Sequence, residues 1–335
     1  MVNRSGTSGL SAIEAVLAQA RSGLDRVEPE QLAAEVADGA IVIDVRPADQ
    51  RQRDGDLPGA LVIDRNVLEW RLDPSSSHRL SLASAHDLRF IVVCNEGYSS
   101  SLAARSLREL GLERATDLVG GFQAWRATTR AHHWNDVFRT RELDTVSWYQ
   151  HDPATSLRLI EPVPGSVVDV GAGTSTLVDR LLDAGRTDIT VLDVSDAALE
   201  LTRARLGDTE DAVTFEAIDI LSWEPGRQYD VWHDRAAFHF LTDPAHRRRY
   251  VEMVTDAVAA QGLLVLGTFA EDGPTRCSGL PTARYGATDL AVLFSERFTL
   301  EHQEREGHRT PAGATQEFTW VTLRHDSRFA RTQTV

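Results

Sequence analysis

Short apolar stretches alternate with amphipathic helical patterns along almost the whole chain, and this rhythm constrains the fold more than any other feature. Apolar strands separated by helices predict a parallel sheet with helices packed on its faces. The alternation breaks in a polar segment rich in tryptophan and histidine, between about residues 127 and 155, and a second series starts after it. Because 335 residues exceed one average domain, we predict an α/β protein with two domains.

The two series differ in how they end. The first contains four short apolar strands, AIVIDVR, ALVID, FIVVCNE and ATDLVGG. The second begins with SVVDVGAGTSTLVDRLLDAG and DITVLDVSDAALELTRARLG, and it closes with two alternating segments, FTLEHQERE and QEFTWVTLRH. Alternation of apolar and polar residues in neighbouring segments predicts an antiparallel hairpin. We therefore expect a parallel first sheet and a second sheet that ends in an antiparallel pair.

Composition excludes several classes of protein. Apolar residues make up 42% of the chain, but no apolar run approaches the roughly 18 residues of a membrane span. The first residues lack the long apolar stretch of a secretory signal, and two cysteines cannot form a disulfide framework, so we expect a cytoplasmic protein without membrane partners. The net charge is −15, with most of the acidic excess after residue 130, which argues against a nucleic-acid partner.

A cysteine stands where the third apolar strand ends, in IVVCNEGYSSS. A strand of a parallel sheet delivers such a side chain to the carboxyl edge, where open α/β folds place their sites. Loop amides and the start of the next helix, near Ser99, can then stabilise a thiolate at Cys94 and lower its pKa. The alternative is a small apolar residue that simply closes a buried strand.

The first third of the chain resembles the rhodanese (sulfurtransferase) family in four motifs that occur in family order. They are IDVRP, GDLPGA, CNEGYSS and GGFQAW. The resemblance implies that Cys94 is catalytic and carries a sulfane sulfur as a persulfide. It also implies a structural rather than a chemical role for Asp44 and Arg46. The persulfide loop would consist of Asn95, Glu96, Gly97, Tyr98, Ser99 and Ser100.

The loop departs from the family in its charge. Glu96 lies in the loop, and Ser99 takes a position that is often arginine in relatives. A carboxylate near an incoming dianion costs roughly a kcal/mol or more in a half-solvated site. We therefore expect a neutral or thiol-bound persulfide as the sulfur donor rather than thiosulfate.

A glycine-rich turn opens the second series, in VVDVGAGTS. Glycines permit close approach of a ligand to the backbone, and the following helix offers unpaired amides. A tight turn without ligand is the alternative. Acidic residues close the next two strands, and carboxylates there can accept hydrogen bonds from ribose hydroxyls or an adenine amino group. The candidate cofactor-binding residues are Asp169, Gly171, Ala172, Gly173, Asp193, Val194, Asp219 and Ile220.

This second series resembles the class I S-adenosylmethionine-dependent methyltransferases. The match includes YDVWHDRAAFHFL, which implies that Asp234 also belongs to the cofactor site, and WNDVFRTRELDTVSWYQ, which implies a cap over the cofactor. S-adenosyl-L-methionine is the cofactor that the resemblance implies. We predict a rhodanese-like domain over 1–128, a linker and cofactor cap over 129–155, and a methyltransferase domain over 156–335.

Several residues are candidates for the substrate site of the second domain. Histidines could act as bases for an amine or hydroxyl acceptor, although each is more often a surface or core residue. Cys277 could receive sulfur, contact substrate or merely pack, and Arg276 and Arg284 could hold an anionic group. No cluster has the spacing of a metal site, and His132 and His133 alone are too few. The substrate candidates are Trp148, Tyr149, His233, His239, His308, Cys277 and Arg284.

The joining of the two domains suggests the function. A sulfur acceptor and a methyl donor in one chain favour a sulfur-handling methyltransferase, acting on sulfide, a persulfide or a small thiol. The alternatives are a nitrogen or oxygen methyltransferase with an independent rhodanese unit, or a rhodanese unit that only docks or senses redox state. The expected partners are a small sulfur donor and a small methyl acceptor, and the sequence indicates no oligomeric state.

Overall fold

The computed structural model describes residues 11–326. Their contacts divide the chain into two compact units, one ending at Thr129 and one beginning at Arg130. The predicted linker and cap over 129–155 includes the second half of a long helix, Gly121–Thr140, and a 3-10 turn, Leu143–Thr145. The segment is therefore largely structured, and part of it is helical rather than a loop.

The first unit is an α/β fold around a four-stranded sheet. Its strands run in the order β2-β1-β3-β4, and every neighbouring pair is parallel. The elements are α1 (Ala12–Arg21), α2 (Leu32–Ala37), β1 (Ile41–Asp44), α3 (Ala48–Asp54), β2 (Leu61–Val62), α4 (Leu68–Leu72), β3 (Phe90–Val93), α5 (Ser99–Glu109), β4 (Thr116–Asp117) and α6 (Gly121–Thr140).

Strand β3 lies at the centre of this unit because all four of its side chains are buried. Successive side chains of a strand point to opposite faces of the sheet. Accordingly, Phe90 and Val92 pack in one apolar cluster and Ile91 and Val93 pack in another. Both faces of the sheet are covered, which confirms the predicted rhodanese-like parallel sheet with helices on both sides.

The second unit is a larger mixed sheet of seven strands in the order β12-β13-β9-β8-β5-β6-β7. Strands β7, β6, β5, β8 and β9 are parallel, and β13 runs antiparallel to both β9 and β12. The elements are α7 (Ala154–Ile160), β5 (Val167–Val170), α8 (Leu177–Asp183), β6 (Ile189–Asp193), α9 (Asp196–Leu206), β7 (Val213–Ala217), β8 (Tyr229–Arg235), α10 (Pro244–Ala257), β9 (Val258–Phe269), β10 (Arg276–Cys277), β11 (Leu280–Pro281), α11 (Ala287–Phe294), β12 (Phe298–Arg309) and β13 (Thr315–His325).

Strand β5, next to the central strand β8, is buried on both faces. Its neighbours in the sheet, β6 and β8, lie on opposite sides of it, so the strand order reverses at β5. Ligands of open α/β sheets bind outside the carboxyl ends of the strands at such a reversal. The sheet and its terminal antiparallel pair confirm the predicted Rossmann-like fold. No helix among the described residues is both long and apolar enough to cross a membrane.

Candidate functional sites

Cys94 follows β3 directly and is 6% exposed. Its Sγ atom lies 3.3 Å from the backbone nitrogen of Ser100, which donates to it, and 3.1 Å from the Ser100 hydroxyl oxygen. The first turn of α5 therefore presents donors to the sulfur, as the sequence predicted. In the loop before the helix Glu96 and Tyr98 are exposed, as is Ser99, the first residue of the helix.

Two opposing effects act on the pKa of this thiol. Burial raises it, because a charged sulfur loses its water. Hydrogen bonds with the side chains of Ser100 and Ser99 and with the backbone N–H groups of Ser100 and Glu96 lower the pKa, and together they prevail. The pKa of Cys94 lies below its ordinary value, which raises the fraction of the nucleophilic thiolate at neutral pH.

Glycines bring the loop close to the start of α6. Gly97 has φ +76°, and a Cβ atom there would lie 2.7 Å from the backbone nitrogen of Gly120. A Cβ atom on Gly121 would lie 2.4 Å from the carbonyl oxygen of Cys94. That carbonyl accepts the backbone N–H of Phe122 at 2.9 Å. The two glycines of the GGFQAW motif therefore allow the start of α6 to pack directly against the backbone of the Cys94 loop.

A buried carboxylate supports the serines of the loop, and the sequence analysis did not single it out. Asp117, at the end of β4, accepts hydrogen bonds from the hydroxyls of Ser100 and Ser101 at 3.2 and 2.7 Å. Arg26 pairs with the same carboxylate through two bonds of 2.8 and 3.1 Å. Arg21 donates to the Gly97 carbonyl at 2.8 Å. The only feature of the sequence that could have indicated this role is that Asp117 ends a predicted strand, as Cys94 does.

The Asp44 and Arg46 side chains form a buried pair away from the sulfur. Arg46 donates from Nε and Nη2 to the Asp44 carboxylate, and its Nη2 also reaches the carbonyl of Gly55. The guanidinium carbon lies 3.5 Å from the ring centre of Phe122. These contacts join β1 to α6 and to the loop before β2, as expected for a structural pair.

In the second unit the glycine-rich turn lies at the carboxyl end of β5. Gly171 and Gly173 have φ values of +64° and +55°, and a Cβ atom on Gly171 would lie 2.4 Å from the Cβ of Ala237. The Gly173 N–H donates to the Asp193 carboxylate at 2.8 Å, and the Ser195 N–H donates to the other oxygen at 2.8 Å. Burial raises the pKa of Asp193 to about 6, although these amides favour the carboxylate.

The turn opens into a cavity of about 1290 Å³, counting its mouth. Asp219 lies on the wall and accepts from Arg130 at 2.8 Å. Eight of the nine candidate cofactor residues line the cavity: Asp169, Gly171, Ala172, Gly173, Asp193, Val194, Asp219 and Ile220.

The ninth candidate, Asp234, is buried and does not line the cavity, so its assignment to the cofactor site was wrong. Its carboxylate accepts the backbone N–H groups of Ala237 and Phe238 at 3.0 and 3.1 Å. The other oxygen accepts the hydroxyl of Tyr250 at 2.6 Å. Burial raises the pKa of Asp234 to about 6. Asp234 therefore holds the turn after β8 from the opposite face of the strand.

Aromatic side chains form another part of the cavity wall. Trp134 lies in edge contact with Trp148 and with Phe240, at ring-centre distances of 5.6 and 5.3 Å. Tyr149 and Cys277, two further candidates, also line the cavity. Burial raises the pKa of the Cys277 thiol, so it is predominantly protonated near neutral pH.

The predicted cap is joined to the chain after β6 by a residue that the sequence analysis missed. Asn135, in the second half of α6, accepts the hydroxyl of Ser195 at 2.7 Å and the backbone N–H of Ala197 at 3.1 Å. Both donors follow Asp193 at the end of β6. A single polar residue in a helical pattern carries no sequence signal for such a role.

The candidate bases have different surroundings. His233 lines the cavity, but both ring nitrogens are engaged: Nδ1 with Asp169 at 2.7 Å and Nε2 with the Ser156 hydroxyl at 2.9 Å. His239 lies outside the cavity lining, and burial lowers its pKa to about 3, so it is neutral. His308 bonds to the carbonyl of Ser147 at 2.8 Å.

The two arginine candidates lie on the surface. Both Arg276 and Arg284 are exposed, and Arg276 donates to the carbonyl of Gly279. Neither lines the cavity. Arg235, at the end of β8, does line the cavity, and the sequence analysis did not select it. Its position two residues after His233 was a signal, because residues i and i+2 of a strand share a face.

Comparisons with known proteins agree with this division. The model of the rhodanese-like domain matches residues 28–128, and the model of a methyltransferase domain matches residues 168–264. A solved S-adenosylmethionine-dependent methyltransferase from Anabaena variabilis is 16% identical, with a TM-score of 0.49, and the alignment covers 60% of this chain and 95% of that one.

Curated relatives match the first unit. The thiosulfate sulfurtransferase GlpE of Pseudomonas entomophila is 34% identical over 107 residues, which are 32% of this chain and 89% of GlpE. The adenylyltransferase and sulfurtransferase MOCS3 of Arabidopsis thaliana is 33% identical over 94 residues, and this chain spans only 20% of its length. The chain is therefore a transferase that belongs to the rhodanese family through its first unit and carries a methyltransferase domain in its second.

Proposed function

We propose that this enzyme transfers methyl groups from S-adenosyl-L-methionine to a sulfur nucleophile, and that Cys94 carries sulfane sulfur as a persulfide. The observation that carries the proposal is the set of donors around the Cys94 sulfur, in a chain that also has a methyltransferase domain. The presence of a sulfur-transfer site and a methyltransferase domain in one chain is best explained if the methyl acceptor is also a sulfur compound.

The loop around Cys94 supports the persulfide step. The Cys94 thiolate attacks the outer sulfur of a donor R–S–SH, forms Cys94–S–SH and releases the thiolate of the donor. A second thiolate then takes the outer sulfur and regenerates Cys94. The backbone N–H groups of Ser100 and Glu96 donate to the sulfur, so the persulfide anion is stabilised in turn. Glu96 favours a donor without strong negative charge.

The residues of the second cavity fit S-adenosyl-L-methionine. Gly171 lines the cavity with a backbone that carries no side chain, and a Cβ there would collide with Ala237. Asp193 ends β6 and Asp219 follows β7, where carboxylates can accept hydroxyl and amino hydrogens. When bound, the cofactor supplies a methyl group on a sulfonium. The protein then aligns the acceptor in line with that methyl and excludes water, with Trp148 and Phe240 as the apolar wall.

A sulfur acceptor needs little help with its proton. Thiols and hydrosulfide are partly ionised near neutral pH, so the thiolate can attack the methyl carbon directly. The products are the S-methyl compound and S-adenosylhomocysteine, and the proton of the thiol goes to solvent before the attack. With a sulfur acceptor, the enzyme therefore has to position the two reactants more than it has to supply a general base.

The test compares acceptors and cysteine variants. We propose incubation of the full chain with labelled S-adenosylmethionine and, separately, sulfide, a persulfide, small thiols and amines, followed by mass spectrometry of the products. We expect labelled S-methyl products. Cys94→Ser should abolish sulfur transfer and methylation fed from a sulfane donor, yet leave methylation of a supplied thiol intact.

The outcomes separate the parts of the proposal. Label found only on amines or hydroxyls would refute the sulfur acceptor. Equal rates for Cys94→Ser and the unchanged protein with every donor would refute coupling of the two activities. Cys277→Ser serves as the second cysteine variant: if it, rather than Cys94→Ser, loses sulfur transfer, the persulfide assignment is wrong.

A second candidate function rests on one different observation. Asp169, His233 and Ser156 form a hydrogen-bonded chain, and all three line the cavity. Such a chain could draw a proton from a hydroxyl or amine acceptor through Ser156, so it favours nitrogen or oxygen methylation. General-base catalysis contributes typically about 100- to 10,000-fold. His233→Gln should cost that much with a hydroxyl or amine acceptor and should spare a thiol.

A further inference from the structure

Arg235 has hydrogen-bond donors that nothing in the described chain satisfies. Its Nη1 donates to the carbonyl of Trp148 at 3.1 Å, and its guanidinium lies 4.8 Å from the ring centre of Phe318. Its Nε and Nη2 atoms are buried and have no hydrogen-bond partner within residues 11–326. Buried donors without a partner are rare in proteins because each costs free energy. A ligand that accepts from both atoms would remove that cost.

The positive charge of Arg235 also has no ion-pair partner: among residues 11–326, no carboxylate lies within ion-pair distance of its guanidinium. The nearby acidic groups have other partners. Glu306 accepts from the Trp320 indole at 2.6 Å, and Asp169 accepts from His233 at 2.7 Å. Burial lowers the pKa of Arg235 to about 10, so the guanidinium remains charged at neutral pH.

The surroundings of Arg235 indicate what kind of ligand would fit beside it. Arg235 lies on the cavity wall beside the aromatic residues Trp148 and Phe240. The next residue, Ala236, has φ +68°, a conformation that costs a non-glycine residue energy and that clusters at functional sites. An unpaired cation on an apolar, aromatic wall fits a small molecule with an apolar body and one negative group.

We propose that Arg235 is the anion-binding residue of the acceptor half of the cavity, and that the methyl acceptor is bound there through a negative group. Adjacent Nε–H and Nη2–H groups form one edge of the guanidinium, which can hold a carboxylate with two parallel hydrogen bonds. A thiolate can accept the same two bonds. The choice between a thiolate and a carboxylate on a thiol rests on the function proposed above, whereas the anion site does not.

The first experiment measures binding without catalysis. The full chain, saturated with S-adenosylhomocysteine, is titrated with benzoate and with benzamide, which have the same shape and differ in charge. Trp134 and Trp148 line the cavity, so tryptophan fluorescence reports occupancy. We expect benzoate to bind at least tenfold more tightly than benzamide. Arg235→Gln should remove that preference, Arg235→Lys should keep part of it, and the exposed Arg248→Gln should keep all of it.

The second experiment distinguishes the source of the charge. Methyl transfer to thiophenol and to mercaptobenzoate is compared in the unchanged protein and in Arg235→Gln. A lost charged hydrogen bond lowers kcat/KM about 10- to 100-fold. If the acceptor's carboxylate contacts Arg235, only mercaptobenzoate loses activity, and if the thiolate contacts it, both do.

Two results would overturn the proposal. One is equal affinity of the unchanged protein for benzoate and benzamide. The other is a loss of S-adenosylhomocysteine affinity in Arg235→Gln as large as the loss for benzoate, because Arg235 would then serve the cofactor. Thermal unfolding confirms that the variant is folded. If no thiol is methylated but the preference for benzoate persists, the sulfur acceptor is wrong and the anion site stands.

Discussion

The Cys94 sulfur lies 3.3 Å from the backbone nitrogen of Ser100, the second residue of α5, so one helix start supplies the donors that stabilise the thiolate. The Ser100 hydroxyl joins the sulfur to Asp117, which Arg26 neutralises. The reactivity of this cysteine therefore depends on side chains from three elements and not on the loop alone.

Replacing the Ser100 hydroxyl should make the thiol less reactive. In Ser100→Ala the pKa of Cys94 rises, because one of the hydrogen bonds that favours the thiolate is gone while burial remains. At pH 7 a smaller fraction of the sulfur is ionised, and alkylation by iodoacetamide should slow severalfold. The inflection of the rate against pH should move to higher pH. The exposed Ser84→Ala is the control; an unchanged inflection in Ser100→Ala would contradict the role of the hydroxyl.

Gly97 should tolerate no side chain, because a Cβ atom there would be crowded. Comparison with a second glycine separates the effect of this crowding from that of backbone strain. Gly97 and Gly59 both have φ +76°, but a Cβ on Gly59 meets nothing within 4 Å, whereas on Gly97 it would lie 2.7 Å from Gly120. Gly59→Ala should cost about 1–2 kcal/mol from the left-handed backbone alone. Gly97→Ala should cost about 1–3 kcal/mol more from crowding and should lose sulfur transfer. Calorimetric unfolding and a sulfur-transfer assay of both variants test this, and equal losses would refute it.

Cofactor affinity should depend on pH through Asp193. Burial raises its pKa to about 6, so the carboxylate, the better acceptor for ribose hydroxyls, forms as the pH rises through 6. Calorimetric titration with S-adenosylhomocysteine should show tighter binding at pH 7.5 than at pH 5. Asp193→Asn should bind about tenfold or more weakly at pH 7.5, with a smaller pH effect. The exposed Asp196→Asn should behave as the unchanged protein, and a pH dependence that survives in Asp193→Asn would point to another group.

Tyr250→Phe should affect the fold rather than the cofactor. The Tyr250 hydroxyl donates to Asp234 at 2.6 Å and accepts from the Trp232 indole at 3.0 Å. Its loss leaves a buried carboxylate and a buried indole N–H each short of a partner, which costs about 1–3 kcal/mol. Urea unfolding should show this loss, while the affinity for S-adenosylhomocysteine stays within about twofold. Weakened ligand binding with unchanged stability would return Asp234 to the cofactor site.

The sequence alone determined the two α/β series, the strand end at Cys94 and the turn at Gly171. These depend on local patterns: the spacing of apolar residues, the position of glycines and the residue that closes each strand. Because the carboxyl ends of parallel strands meet at one edge of a sheet, the same patterns also predicted that Asp169, Asp193 and Asp219 belong to one site.

Only the tertiary structure decided which side chains at those edges share a space. Along β8, His233 and Arg235 line the cavity while Asp234, between them, faces Tyr250 in the core. Successive residues of a strand point to opposite faces, and the sequence does not say which face is the cavity until the neighbouring strands and helices are packed. The same reason applies to Asp117, because its contact with the Cys94 loop joins residues that are far apart in the chain.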